Sequence, residues 1–286
     1  MTVSGASWPA PAKLNRFLHI VGRRGDGYHL LQTLFQFLDY GDELTFELRA
    51  DARIERCGDI PGVAADADLS VRAARLLQTT CGIASGVTIH IDKRLPLGGG
   101  LGGGSSDAAT ALVALNHYWR TGLTLQELAE LGLRLGADVP VFVHGRTAWA
   151  EGIGEKLTPV ELGETWFVVL APPCQVATSA IFGDPKLTRD SEPITISDFI
   201  AGRTGNDCAA VVYRRYPAIA AAAAWLSDFA EARLTGTGAC VFAAFPERLA
   251  AQQVIARLPA ELSGFVARGL DHSPLRTRLQ REVSGR

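Results

Sequence analysis

The stretch Pro96-Leu97-Gly98-Gly99-Gly100-Leu101-Gly102-Gly103-Gly104-Ser105-Ser106-Asp107-Ala108-Ala109-Thr110 decides how the rest of the chain is read. Six of the seven residues from Gly98 to Gly104 are glycine, so this backbone is free to take positive φ and to let another group come close. Ser105 to Trp119 has helical spacing: Ala108, Leu112, Leu115 and Trp119 share a face, and Ser105 or Ser106 suits the N-cap. A glycine loop emptying into a helix start presents unpaired N–H groups at the positive end of the helix dipole, which suits a phosphate. The alternative, a flexible linker, fits poorly between an apolar strand and an amphipathic helix.

Working outward, Val87 to Ile91 reads as a short β-branched strand feeding Lys93-Arg94-Leu95 and the loop. Asp68 to Cys81 is a helix, with Leu69, Ala73, Leu76 and Leu77 apolar. Ala12 to Val21 alternates as a strand that puts Lys13, Asn15, Phe17 and His19 on one face and Leu14, Arg16, Leu18 and Ile20 on the other. The Gly22–Gly27 turn leads to returning strands over Tyr28–Leu38 and Asp42–Leu48. Downstream, Thr124 to Leu135 is a helix with Thr124 and Glu127 in capping-box positions. Gly136–Pro140 is a loop, and Val141–Val143 and Arg146–Ala150 are short strands. A boundary falls near Gly152–Gly163. Beyond it come strands at Trp166–Ala171, Cys240–Phe245 and, at the edge, Gly264–Val266. Helices are expected at Ser179–Phe182, Asp207–Arg214, Pro217–Trp225 and Pro246–Arg257, with a second glycine turn at Arg233–Ala239. Strands and helices in this mixed order indicate α+β rather than a doubly wound parallel sheet.

Composition narrows the function. The chain has 286 residues, 47% of them hydrophobic, which is ample for a core in one large or two modest domains. A net charge of −2 gives no basic field for nucleic acid. Met1–Pro9 lacks a leader pattern, and no apolar run is long enough to span a bilayer, so no membrane role is expected. Five scattered cysteines without a C-x-x-C pair suit inert thiols in a reducing cytoplasm. Six histidines show no metal-ligand spacing.

Three familiar phosphate loops fail here. A Walker loop needs a lysine where Gly104 is followed by Ser105. A dinucleotide fingerprint matches formally at Gly98, Gly100 and Gly103, but the ribose-holding acid is missing around Tyr118-Trp119-Arg120. The companion motifs of a protein kinase are missing as well. The stretch instead resembles the Pro-x-x-x-Gly-Leu-Gly-Ser-Ser motif of the GHMP kinase superfamily. Other segments are similar to the same superfamily: Pro11-Ala12-Lys13-Leu14-Asn15, Gly27-Tyr28-His29 with Gln32–Gln36, Gly136-Ala137-Asp138-Val139-Pro140 and Leu234-Thr235-Gly236-Thr237-Gly238. These matches run from Pro11 to Phe242. The expanded glycine loop with Tyr28-His29 looks like the branch whose acceptor is 4-diphosphocytidyl-2-C-methyl-D-erythritol, rather than the homoserine or mevalonate branch.

The resemblance implies an α+β, two-domain fold. Residues 1–157 would form a ribosomal-protein-S5-like ATP-binding domain and residues 158–286 a ferredoxin-like domain, with the active site in the cleft between them. It implies an ATP-dependent, Mg²⁺-using kinase of an alcohol in isoprenoid precursor synthesis, cytoplasmic, and a monomer or weak homodimer. Asp138 would be the base and Lys13 its partner; without the resemblance, Asp138 reads better as a loop aspartate capping a turn, since the chain carries many acidic residues, and Lys13 as a strand lysine reaching solvent. Pro96, Leu97, Gly98, Gly99, Gly100, Leu101, Gly102, Gly103, Gly104, Ser105 and Ser106 would wrap the phosphates, with the two serines available to phosphate oxygens or Mg²⁺. Lys93 would lie near the adenine, its alternative being a solvated loop lysine. Tyr28 and His29 would hold the cytosine, with Phe182 opposite, and Asn15, Gly236, Thr237 and Gly238 would complete the acceptor side. For these the alternatives are plain packing and a hairpin turn. Asp107 reads as an acid in the first helical turn rather than a metal ligand. Asp68-Leu69 stands where the superfamily pattern has Asn-Leu, which puts the adenine-side contacts there in question. The protein ligands of Mg²⁺ are not indicated. A Rossmann-type oxidoreductase and a non-catalytic nucleotide-binding module are the remaining alternatives.

Overall fold

Alternating apolar stretches become ten strands in the computed structural model, which describes residues 7–284. The Met1–Pro9 stretch lies largely outside these, since residues 1–6 are not described. The strands are β1 (Trp8–Arg23), β2 (His29–Arg49), β3 (Ile54–Cys57), β4 (Gly86–Asp92), β5 (Ala148–Gly152), β6 (Lys156–Pro159), β7 (Trp166–Ala171), β8 (Ala232–Leu234), β9 (Val241–Phe245) and β10 (Ser263–Leu270). Between them run α1 (Leu69–Cys81), α2 (Gly103–Trp119), α3 (Leu125–Leu133), α4 (Val139–His144), α5 (Thr178–Phe182), α6 (Ile196–Ile200), α7 (Ala209–Arg215), α8 (Pro217–Ser227), α9 (Arg248–Ile255) and α10 (Pro274–Ser284). The main path of the sheet is β3-β4-β2-β10-β7-β9-β8, with β1 and β5 also pairing with β2 and β6 with β5. Only β3 and β4 run parallel among the described pairs. The fold is therefore α+β.

The two expected strands after the first turn are one strand of 21 residues, β2. Gly41 makes that continuity possible: a Cβ there would stand 2.3 Å from the Ala10 carbonyl oxygen, so only glycine lets β1 cross so closely. The last strand is not at an edge. β10 sits between β2 and β7 and joins the two halves of the sheet, because its Gly269–Leu270 end pairs with Leu38 and Phe37 of β2 while its remainder pairs with β7. Val141–Val143 is helical, within α4, and Pro140 in the first turn outweighs the strand preference of the two valines. The long helix α2 starts two residues earlier than its serines suggest. Gly102 occupies the N-cap with φ 74°, so neither Ser105 nor Ser106 caps it, and Asp107 lies beyond the first turn. The capping box on α3 forms as read, Thr124 and Glu127 each bonding the other's backbone.

Among the described residues three large buried clusters organise the core, beside a small fourth of Phe17, Leu34 and Trp149. The first packs α1, α2 and α4 on the sheet through Phe37, Phe46, Ile89, Leu77, Leu112 and Phe142. The second packs α7, α8 and α9 on the strands β7 and β9. The third lies at the seam, where Leu14, Leu38 and Leu95 meet Phe167, Val169 and Phe242; Leu101 of the glycine loop is buried in it. All five cysteines are free thiols, and Cys57 is exposed. Burial pushes the Cys208 and Cys240 thiols up to about 12. Among the described residues no helix is long and apolar enough to cross a membrane.

Candidate active site

The strand alternation of β1 puts Lys13 and Asn15 on one face, and the structure joins them: Lys13 Nζ donates to Asn15 Oδ1 at 2.6 Å. Lys13 is not a snorkelling lysine, for its side chain is 4% exposed. It also donates to the Gly100 carbonyl at 3.1 Å, lies over the Phe35 ring, and approaches Asp138 Oδ2 at 3.3 Å. Asp138 stands at the N-cap position of α4 yet makes no side-chain cap bond, so its carboxylate is not the turn-capping group that a loop aspartate often is. It remains one-third exposed, with one oxygen beside a buried ammonium.

Asn15 is held on three sides. Its Nδ2 donates to Thr33 Oγ1 at 3.0 Å, its backbone N–H to Thr235 Oγ1 at 3.0 Å, and Thr33 in turn bonds the Phe17 carbonyl. Asn206 Nδ2 reaches the carbonyls of Leu234 and Gly236 at 2.9 and 2.8 Å, and Thr178 and Thr237 share a hydrogen bond of 3.1 Å between hydroxyls. Thr33, Thr178 and Asn206 were not singled out by sequence; Thr178 and Asn206 have no local motif to mark them.

The glycine loop turns on Gly98, Gly100 and Gly102, all with positive φ. A Cβ at Gly100 would stand 2.3 Å from the Thr235 carbonyl oxygen, and one at Gly102 2.7 Å from the Phe142 ring. The loop's carbonyls are largely spent inside the protein. Gly98 and Gly99 accept from the Ala239 and Cys240 N–H groups at 3.1 and 3.0 Å, and Leu101 accepts from the Lys13 N–H at 3.0 Å. Its amides at the start of α2 have no intrahelical partner, as at any helix start, whereas Ser106 N–H already closes the first turn onto Gly102. Ser106 Oγ is buried and has no partner among the described residues.

Lys93 is not a solvated loop lysine. It bridges Asp42 Oδ2 at 2.6 Å and Asp107 Oδ2 at 2.7 Å, beside the backbone of Gly103. Burial works against its charge, but Asp107 and Asp42 outweigh it and hold its pKa above the ordinary lysine value. Asp42 also accepts from the Arg94 and Leu95 N–H groups, gripping the entry to the loop. Asp68 caps α1 by accepting from Ser70, and its other oxygen pairs with Arg56 at 2.8 Å. Burial alone would push its carboxyl up, yet the bonds from Ser70 and Arg56 win and hold it below the usual value. Both oxygens of Asp68 are thus committed within the protein.

A cleft of about 750 Å³ opens between the halves. Lys13, Asn15 and Asp138 line its floor with Gly100 and Gly102; Tyr28, His29, Phe182, Gly236 and Thr237 line it further along. The His29 and Phe182 rings stack at 4.9 Å, 27° from parallel, and Tyr28 is 61% exposed. Pro96, Leu97, Gly98, Gly99, Leu101, Gly103, Gly104, Ser105, Ser106, Lys93 and Gly238 are not among the residues that line it. Gly238 instead packs on Leu234 and Val212. Among the described residues no group of three His, Cys, Asp or Glu side chains could hold a metal ion by itself.

A buried cation beside a part-exposed carboxylate, next to a glycine loop and a helix start, is equipped to deprotonate a hydroxyl close to a bound phosphate. Comparison with known proteins places the chain in a family. The pattern described as GHMP kinases N terminal domain matches residues 68–146, and that described as GHMP kinases C terminal matches residues 196–264. A 4-diphosphocytidyl-2-C-methyl-D-erythritol kinase of Halorhodospira halophila is 57% identical over 271 residues, 94% of each chain. One of Alkalilimnicola ehrlichii is 60% identical over 275 residues, 96% of this chain and 94% of that one. The crystal structure of a 4-(cytidine 5'-diphospho)-2C-methyl-D-erythritol kinase superposes with a TM-score of 0.81 at 30% identity, covering 92% of this chain and 99% of that one. A mevalonate kinase structure at 15% identity, with a TM-score of 0.69, shares the fold. With identity this high over nearly its whole length, the chain belongs to the 4-diphosphocytidyl-2-C-methyl-D-erythritol kinase family of the GHMP kinases.

Proposed function

We propose that the chain transfers the γ-phosphoryl group of ATP to the 2-hydroxyl of 4-diphosphocytidyl-2-C-methyl-D-erythritol, giving the 2-phosphate and ADP. The observation that carries this reading is the buried Lys13 held 3.3 Å from Asp138 in a cleft that the stacked His29–Phe182 ring pair also lines. Asp138 accepts the hydroxyl proton as the oxygen–phosphorus bond forms and ADP departs. A positioned carboxylate contributes roughly 10²–10⁴ in rate. Lys13 holds that carboxylate in place at 3.3 Å and offsets the charge that grows on the attacking oxygen. Asn15 orients the ammonium through its 2.6 Å bond.

The features that suit ATP are the bare backbone at Gly100 and Gly102, the start of the 17-residue helix α2 and the unpartnered Ser106 hydroxyl. In this reading the loop from Pro96 to Ser106 holds the donor phosphates, largely through Gly102, Gly103, Gly104 and Ser105. Leu101, Gly98 and Gly99 shape the loop from within. Lys93 supports the helix start from beneath, on the adenine side. Mg²⁺ would neutralise phosphate charge when bound; the hydroxyls of Ser105 and Ser106 at the helix start would be open to it or to phosphate oxygens, and an ion of this kind takes much of its shell from phosphates and water. Tyr28, His29 and Phe182 hold the cytosine, with Gly236 and Thr237 along the acceptor's path and Gly238 shaping that turn. Residues up to 157 act as the nucleotide-binding part and those from 158 on as the second domain, except that helix α10 returns to the first, where its Leu275 joins the core of α1, α2 and α4; the chain works as a cytoplasmic monomer or weak homodimer. A homoserine or mevalonate acceptor would leave the ring pair that lines the cleft without a partner.

The test is phosphorus NMR of the product formed from ATP and the cytidyl substrate. A new phosphomonoester signal with ADP release is expected. ATP consumption with homoserine or mevalonate, and none with the cytidyl substrate, would reject the reading.

A further inference from the structure

Arg189 follows α5 in the chain and closes around the ring pair. Its Nε donates to His29 Nε2 at 3.1 Å. Its Nη2 donates to the carbonyls of Phe182 and Asp184 at 2.9 and 2.8 Å, and its Nη1 to that of Leu187 at 3.0 Å. A guanidinium keeps its protons at any accessible pH, so Nε always brings a hydrogen to that contact. His29 Nε2 must then present its lone pair. A neutral imidazole carries one proton, which is left to Nδ1. Burial, Arg189 and Arg23 all disfavour a second proton and hold the His29 pKa below its ordinary value.

We propose that Arg189 is a positioning residue that fixes His29 as the neutral Nδ1–H tautomer, so that the ring offers a ligand a hydrogen-bond donor and no acceptor. On the reading that the cleft holds a cytidyl group, the consequence is selectivity. Cytosine presents a ring nitrogen and a carbonyl that accept from this N–H, whereas amino groups, cytosine's own included, and cations meet no lone pair on this ring. The same guanidinium bonds the Phe182 carbonyl, so the orientation of the imidazole and the backbone behind its stacking partner are set by one side chain.

The test uses the full chain labelled with ¹⁵N at histidine, without substrate. Long-range proton–nitrogen correlation distinguishes a protonated ring nitrogen from a bare one. For wild type the His29 Nδ1 is expected in the protonated range and Nε2 in the bare range. In Arg189→Met the pattern is expected to shift toward Nε2–H. The Michaelis constant for the cytidyl substrate should rise about 5- to 10-fold, the value of one hydrogen bond, with that for ATP unchanged. Arg189→Lys, which keeps a donor and a charge, should recover part of that loss. A wild-type ring protonated on Nε2 overturns the proposal. So does an Arg189→Met protein whose tautomer is unchanged while both Michaelis constants rise together, since that marks a merely structural role. The wild-type spectrum needs no variant and no substrate. A misfolded variant therefore leaves the test in force, and its failure is distinct from a failure of the kinase reading, which the phosphorus spectrum decides.

Discussion

Lys13 Nζ and Asp138 Oδ2 are 3.3 Å apart, one buried and one at the edge of the cleft. Removing the carboxylate's charge while keeping its shape separates chemistry from binding. Asp138→Asn is expected to lower kcat by roughly 10²–10⁴. The dissociation constant for ATP, followed by calorimetry, should change little. Turnover near the wild-type rate would remove Asp138 from the role of base.

Tyr28 lies at the open lip of the cleft, where it is 61% exposed and contributes little to the core. Stacking of an aromatic on a base is worth about 1–3 kcal/mol. Tyr28→Ala should therefore raise the Michaelis constant for the cytidyl substrate by at least fivefold or so at that scale, with ATP unaffected and thermal stability unchanged. Equal Michaelis constants before and after would assign Tyr28 no part in the acceptor site.

Gly100 and Gly104 lie in one glycine run but are held differently. A methyl group at Gly100 meets the Thr235 carbonyl oxygen at 2.3 Å and a φ of +76°, whereas one at Gly104 meets only Leu69 Cδ1 at 3.5 Å within helix α2. Gly100→Ala should lower the melting temperature and weaken ATP, whereas Gly104→Ala should fold as well as wild type or better, by up to about 1 kcal/mol. Two melting curves decide it; equal losses would mean that the loop is held less tightly against Thr235 than the distance indicates.

Asp107 gives a pH signature. Burial pushes its carboxyl up to about 7 from an ordinary 3.8, against the pull of Lys93 and with Asp42 and Asp68 adding to the rise. Between those values the folded chain holds a proton that the unfolded chain has lost. This group's stabilising contribution is thus full below the ordinary carboxylate range and is lost as pH rises through about 7. Asp107→Asn cannot titrate there. The stability of wild type relative to Asp107→Asn should therefore fall as pH rises across that window, read from paired denaturation curves. A constant difference would show that Lys93 keeps Asp107 ionised throughout.

Local chemistry was the legible part of the sequence. The α3 capping box and the alternation that joins Lys13 to Asn15 need only residues a few places apart. The start of α2 escaped because glycine leaves no side-chain signature at an N-cap, while the two serines nearby advertise one. β10 looked like an edge because its length and composition do not reveal that it pairs on both sides. In the site, Asp138 was separable from other loop aspartates only through the superfamily resemblance. Arg189 and Asn206 carry no motif, and their roles arise from segments that meet only in the folded chain. The resemblance puts Lys93 beside the nucleotide, but nothing local marks its two carboxylate partners, Asp42 at 51 residues and Asp107 at 14 residues along the chain.

Leu101 interrupts the glycine run and is buried at the seam with Leu14, Leu95, Phe167 and Phe242. Truncating such a buried leucine to alanine costs about 2–5 kcal/mol, and here the loss would be felt in stability and nucleotide affinity at once. The carbonyls of Gly98 and Gly99 are likewise satisfied by Ala239 and Cys240, far along the chain. The phosphate loop is thus encoded by one half of the polypeptide and moulded by the other. Chimaeras that splice the first half of one relative to the second half of another will be viable only where these seam residues travel together, so the seam, rather than the motif, is the unit that must be inherited whole.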